Sequence, residues 1–307
     1  MFLPKSHDNN SFQPSASLLI GIPGLEVVHG WVSIPFCFMY TMALIGNHLI
    51  LGAMRTPSLH QSMYYFLYML SLTDLGFVLC TLPTTLSVLW FNYNHITFDT
   101  CLVQMIFLHT FSVILSSVLL AISFDRFVAI SNPLRYASVL TNSVIGRIGM
   151  AIVTHATVSL FPVPFLLKRL NFCPEKVQLS HSFCFHADKV KMACADITVI
   201  ILYGLYVVLS TGFVDSFLIA LSYGLMLYTV MGLASPREWV WALNTCVSHS
   251  LAFLIFCVPV IGVSIVHRFR RLAPPIAHAL VAYVYLFLLL CSTLSSILSN
   301  PSISRRH

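Results

Sequence analysis

Long uncharged stretches separated by short polar clusters set the character of this chain. Apolar residues run continuously over about 29–53, 63–90, 98–124, 145–167, 197–231, 239–266 and 273–298, seven stretches in all. A helix needs roughly 20 residues to cross a hydrocarbon core about 30 Å thick, and each stretch is long enough. Continuous runs predict helices, because a membrane barrel strand would alternate apolar and polar positions over about ten residues. The pattern predicts an all-α membrane protein, a bundle of seven transmembrane helices over 29–298, flanked by an N-terminal segment, 1–28, and a short tail, 299–307.

Composition agrees with this reading. Hydrophobic residues make up 58% of the chain, charged residues 8%, and mean hydropathy is +0.86, values foreign to a soluble domain. The opening "MFLPKSHDNNSFQPSAS" lacks a basic region followed by an apolar core, so it does not read as a cleaved signal peptide, and the first span is expected to direct its own insertion.

Orientation does not follow from charge. With the N-terminus outside, Arg55, Arg126, Arg135, Arg147, Arg237, Arg305 and Arg306 lie inside. Lys5, Lys168, Arg169, Lys176, Lys189, Lys191, Arg268, Arg270 and Arg271 lie outside, against the usual bias. Two other features favour the outside N-terminus. Asn9-Asn10-Ser11 is a glycosylation sequon, and the loop after span four carries Cys173, Cys184 and Cys194 in a polar setting, as an oxidising compartment allows. Cys101, at the outer start of span three, gives that loop's odd thiol a partner. Four cysteines allow three pairings, which the sequence leaves open. Cys37, Cys80, Cys246, Cys257 and Cys291 read as small buried hydrophobes.

Ionisable residues inside an apolar span are costly and mark function. Asp125 and Arg126 stand side by side at the inner end of span three, where paired opposite charges are tolerated and either make a two-state switch or leave the arginine merely reaching to the head groups. Asp74 lies near the middle of span two and Asp215 in span five, the latter with no partner evident from sequence. A ligand pocket in a bundle of this kind is expected between its helices. His109 lies two turns below Cys101, with Leu108, Ser112 and Val113 near its face, and a histidine there either is a satisfied packing residue or donates a hydrogen bond to an acidic or polar ligand. Ser264 and Arg268 are four apart on one face of span six, where a guanidinium either receives a carboxylate bidentately or, with Arg270 and Arg271, caps the helix and touches head groups.

Eight segments carry a family resemblance: "GIPGLEVVHGWVSIPF" (21–36), "GN" (46–47), "LHQSMYYFLYMLSLTDLG" (59–76), "SFDRFVAISNPLRY" (123–136), "LSHSFCFHADKVKMACAD" (179–196), "SYGLMLYTV" (222–230), "LNTCVSH" (243–249) and "IGVSIVHRF" (261–269). Together, in this order, they resemble a class I (fish-like) odorant receptor of the family 51/52 type, a rhodopsin-like G-protein-coupled receptor, from about residue 18 to 286.

The resemblance implies a plasma-membrane receptor for small odorants, with carboxylic acids favoured, that activates a stimulatory G protein and raises cyclic AMP. It implies disulfides Cys101–Cys184 and Cys173–Cys194, and glycosylation at Asn9. Asp125 and Arg126 become the lock at the inner end of helix three, and Asp74 a switch residue. Arg268 and Ser264 become the acid-binding pair; Gly204 makes room for ligand and Val260 packs on its alkyl tail.

Departures accompany the resemblance. Leu115 stands where a sodium-binding Glu is expected, which removes a hard oxygen ligand. Ala187 stands where acid binders offer a loop Gln, Ser62 replaces a Pro, and Tyr228 and Trp241 replace basic residues. The Asn-Pro-x-x-Tyr expected over about 293–297 is absent; Asn300-Pro301 comes late, with no Tyr after it and no eighth helix. A folded but signalling-impaired, pseudogene-like receptor is therefore the second reading.

Nothing catalytic is legible: there is no GxSxG, Walker loop, HExxH or zinc spacing. No cofactor, metal or nucleic-acid partner is expected. A transporter or channel is the alternative of another class, but no internal repeat of about 20–50 residues supports it.

Overall fold

The structure, a computed structural model, describes residues 15–19, 29–53, 62–91, 93–173, 178–179, 182–233 and helical positions 240, 243, 247, 250, 251, 253 and 254. The expected span 273–298, most of 239–266, Asn9, Val260, Ser264 and Arg268 lie outside the described residues.

Strand β1 (Ala16–Leu19) precedes helix α1 (His29–Ala53), then α2 (Ser62–Phe91), β2 (His95–Thr97) and α3 (Phe98–Ser131). After α3 come α4 (Tyr136–Val139), α5 (Asn142–Leu160), α6 (Pro162–Lys168), β3 (Gln178–Leu179), α7 (His186–Lys191), α8 (Thr198–Val208) and α9 (Val214–Leu233). Five helical spans among the described residues are long and apolar enough to cross a membrane: Ser33–Gly52, Ser62–Phe91, Phe98–Ser131, Asn142–Lys168 and Thr198–Gly232.

Local chemistry sets the element ends. Thr97 caps α3, its hydroxyl accepting from Thr100 N at 3.3 Å, with Asp99 in the first turn to complement the helix dipole. Asn132-Pro133 ends the same helix, since the residue before a proline is driven out of the α region. Helix α3 thus continues past the apolar run that ends near 124, carrying Asp125 and Arg126 on regular helix. Pro162 sits at the first position of α6, where its missing N–H costs nothing, and splits the fourth span in two. The fifth span is interrupted differently: Leu209–Phe213 form a π-turn between α8 and α9, a widening that re-aims the residues after it.

At the outer end the three strands pair in the order β2-β1-β3. Strand β1 runs antiparallel to β2, with Ser17 opposite Ile96, and parallel to β3, with Leu19 opposite Leu179. Leu19, Ile96, Phe98, Leu167, Leu179 and Met192 close over this cap in one packing cluster. A second cluster, centred on Phe66, Phe77, Leu115, Ile122 and Met226, fills the rest of the bundle. Helices α2 and α3 meet at Gly76, where an added Cβ would overlap the Phe111 ring. Small residues permit such close approach in lipid, where helix association rests on packing and polar contacts. The outward faces remain apolar: Leu49, Leu79, Phe107 and Phe213 are exposed, with Trp31, Trp90, Phe91 and Tyr93 exposed near the outer ends, as an interfacial aromatic belt requires.

Candidate functional site: an outer pocket and an inner lock

The outer site is built on the loop between α6 and α8. Cys184 is bonded to Cys101 at the top of α3, with Cα atoms 5.4 Å apart, and Cys173 is bonded to Cys194, with Cα atoms 5.2 Å apart. Gln104, one turn below Cys101, fixes the same point. Its Oε1 accepts from Cys184 N at 3.0 Å, while Nε2 donates to Cys80 O at 2.9 Å and to Thr84 Oγ1 at 2.7 Å. Helix α2, helix α3 and the loop are therefore joined at one side-chain amide, all of whose polar atoms are used.

Lys189 ties the cap to the N-terminal strand. Its side chain is buried, Nζ donates to Ser17 Oγ at 2.9 Å and lies 4.4 Å from the Phe98 ring centroid. Burial lowers its ammonium to about 8, while the ring face beneath it favours the cation.

Beneath this cap three elements bring polar and small residues together. The His186 ring, on α7, stands edge-on to the His109 ring of α3 with centroids 6.1 Å apart, and Phe185 lies 5.3 Å from His109. Gly204 on α8 lies directly under His186: an added Cβ would be 3.2 Å from His186 Cε1. Neither His109 Nε2 nor His186 Nε2 touches solvent or has a hydrogen-bond partner among the described residues. Burial lowers the His186 imidazole to about 4, so it is neutral at physiological pH.

The other sequence-derived candidates are distributed around this point. Ser112 Oγ donates to Leu108 O at 3.0 Å, one turn below His109. Leu108 and Val113 are buried, one in each packing cluster, and set the position of α3 among its neighbours. His109, Ser112 and Ser116 follow at helical spacing and form a polar stripe down α3. Its lowest member resolves the question of Asp215: Ser116 Oγ donates to Asp215 Oδ2 at 2.5 Å, linking α3 to α9 just beyond the π-turn.

Asp74 is wholly buried and faces the side chain of Asn47; Asn47 Oδ1 and Ser71 Oγ are buried with no hydrogen-bond partner among the described residues. Buried polar atoms of this kind are where proteins hold internal water. Leu115 is fully buried and apolar, so it offers no oxygen to a cation.

At the inner end Asp125 is completely buried and collects four donors from three elements. Arg126 donates to Oδ2 through Nη2 at 2.6 Å and Nε at 3.0 Å. Ser62 Oγ, at the start of α2, donates to Oδ1 at 2.5 Å, and the Tyr136 hydroxyl, on α4, donates to the same oxygen at 2.9 Å. Ser62 and Tyr136 also touch one another. Two guanidinium N–H groups on Oδ2 and two hydroxyls on Oδ1 satisfy the carboxylate.

Sequence reasoning did not single out His186, Gln104, Ser116, Tyr136 or Lys189 as functional. Ser62 was visible as a departure from proline, but not its bond to Asp125. His186, one residue before Ala187, carries no local sequence signal beyond its place two residues after the half-cystine Cys184.

A family model described as olfactory receptor matches residues 36–298. Among curated human proteins, olfactory receptor 51I2 is 53% identical over 279 residues, covering 91% of this chain and 89% of that protein. Olfactory receptor 51G2 is 50% identical over 280 residues, covering 91% and 89%, and olfactory receptor OR51C1 is 52% identical over 272 residues, covering 88% and 87%. With its apolar helical bundle and cystine-anchored outer cap, the chain belongs to the olfactory receptor family: it is a multi-pass plasma-membrane receptor of the odorant-sensing, G-protein-coupled receptor class, and it is not an enzyme.

Proposed function

We propose that this receptor recognises small carboxylic acids and signals through a stimulatory G protein to raise cyclic AMP. The observation that carries the ligand reading is the buried His109–His186 pair under the anchored cap, two imidazoles beside Gly204 whose Nε2 atoms have no hydrogen-bond partner among the described residues. Buried polar groups cost free energy unless partnered, and a ligand head group answers that need. In this reading Arg268 supplies the charge that holds the carboxylate and Ser264 a further hydrogen bond. Val260, Leu108 and Val113 shape the apolar wall, and Ser112 contributes polarity below.

The test is a cyclic-AMP assay in cells displaying the receptor, screened with straight-chain acids of graded length. Arg268→Ala is expected to lower acid potency by at least about a hundredfold, the scale of a lost charge-assisted bidentate contact. Unchanged potency would remove Arg268 from the site. Gly204→Val places methyl groups where His186 Cε1 stands, and is expected to weaken acid responses at unchanged surface level; wild-type potency in that variant would show that the space above Gly204 is not used.

A second reading, a folded receptor that signals poorly, is favoured by the sequence Thr293-Leu294-Ser295-Ser296-Ile297 where Asn-Pro-x-x-Tyr is expected. A displayed receptor that binds acid without raising cyclic AMP, and regains the signal when that motif is grafted into 293–297, would establish it.

A further inference from the structure

The ion pair at the inner end of α3 cannot by itself hold helices together, because Asp125 and Arg126 are neighbours on one helix. Restraint between elements has to come through the other carboxylate oxygen. Oδ1 accepts from Ser62, on α2, and from Tyr136, on α4. Among the described residues Ser62 is the donor to Asp125 that stands on a different membrane span. We propose that Ser62 is a positioning residue for signalling: its hydroxyl, shared between Asp125 and Tyr136, ties α2 to the inner end of α3 and to α4, and so restrains this end of the bundle in the resting receptor.

Ser62 is buried and opens α2, so its side chain is fixed at a helix start. It touches the Tyr136 hydroxyl as well as Asp125. Burial holds the Tyr136 phenol above its ordinary value, so that hydroxyl keeps its proton and donates. Two hydroxyl protons thus serve three mutually close oxygens, and each hydroxyl can accept as well as donate. Hydrogen bonds linked in this way polarise and strengthen one another. Helix α4 buries none of its four residues, so these bonds weigh heavily in where it sits. Proline, the residue that the resemblance leads one to expect at position 62, has no hydroxyl. It would suit the first position of α2 but leave Asp125 with no donor from that helix. A bond made only in the resting arrangement shifts the equilibrium toward rest by its own free energy. This chain is therefore set further toward rest than its Asp-Arg pair alone would set it.

Release can be read without any odorant. Purified full-length receptor in lipid nanodiscs is mixed with a stimulatory heterotrimer or, in parallel, an inhibitory one, and the initial rate of GTPγS uptake is measured. Ser62→Ala and Ser62→Pro are each expected to raise uptake about fivefold over wild type, the fold-change that follows when one hydrogen bond is lost from the resting state alone. Ser62→Thr keeps the hydroxyl and is expected to stay within about twofold of wild type. Backbone hydrogen exchange over residues 135–140 should quicken in the first two variants and not in the third. General loss of stability would lower uptake, so the sign of the change separates release from damage. Should Ser62→Ala fail to give monodisperse protein, Ser62→Pro, suited to a helix start, decides the outcome. Uptake no higher than wild type with both heterotrimers, unchanged hydrogen exchange, or a rise in Ser62→Thr matching that of the hydroxyl-free variants would each overturn the assignment. A rise with the inhibitory heterotrimer alone upholds Ser62 and overturns stimulatory coupling.

Discussion

Cells expressing Cys101→Ser are expected to lose nearly all receptor from their surface, while Cys173→Ser reduces it less. The bond from Cys101 to Cys184 closes a separation of 83 residues, that from Cys173 to Cys194 only 21. Loop entropy alone assigns them about 4.5 and about 3.3 kcal/mol respectively. The larger loss is compounded by what the bond positions. Cys184 N is held by Gln104, which also binds Cys80 O and Thr84 on α2, so release of Cys184 leaves a buried amide oxygen without its partner. His186 is carried two residues further along the same loop, so its placement against His109 is lost as well. Flow cytometry of an N-terminal epitope tag, normalised to total protein, measures both variants. Surface levels of Cys101→Ser at or above those of Cys173→Ser would contradict the ordering.

The five described spans were legible because a bilayer imposes a simple rule, an apolar run of sufficient length, that ignores side-chain detail. The interruptions within them were less so. Pro162 announces the break in the fourth span, whereas nothing in "LSTGF" announces the π-turn at Leu209–Phe213, which depends on how the fifth span packs. The same limit applies to polar partners. His109 was legible from its distance below Cys101 on one helix, but Ser116 and Asp215 are 99 residues apart, and Ser62 and Tyr136 are 74 apart. Contacts at that separation are set by helix crossing, not by local spacing. Ser62 shows the difference: sequence marked it as unusual, and only geometry turned the missing proline into a hydroxyl on Asp125. The outer sheet was missed for a further reason. Strands of four, three and two residues carry no periodic signal of their own and form because the cap brings them together.

Removing the Asp125 carboxylate should have the second large effect. Asp125→Ala leaves the Arg126 guanidinium, whose side chain is only 15% exposed, without its counter-charge, and strands the Ser62 and Tyr136 hydroxyls. Losing one member of a buried pair typically costs about 3–5 kcal/mol, which predicts a melting temperature lower by roughly 10 °C for receptor in nanodiscs. Ser62→Ala removes one of four hydrogen bonds and is expected to cost about 1 kcal/mol. The informative variant is the double one. Asp125→Leu with Arg126→Met replaces both charges by apolar groups of similar bulk, which in buried pairs is often close to neutral, so most of the lost stability should return. A double variant as unstable as Asp125→Ala would mean that Ser62 and Tyr136, not Arg126, set the cost. Were the cost of Asp125→Ala itself under about 1 kcal/mol, the pair would be behaving as a solvent-exposed one, against its burial here. In that case Arg126 would be free in the resting state, and the inner end of α3 could not serve as the lock from which a G-protein signal is released.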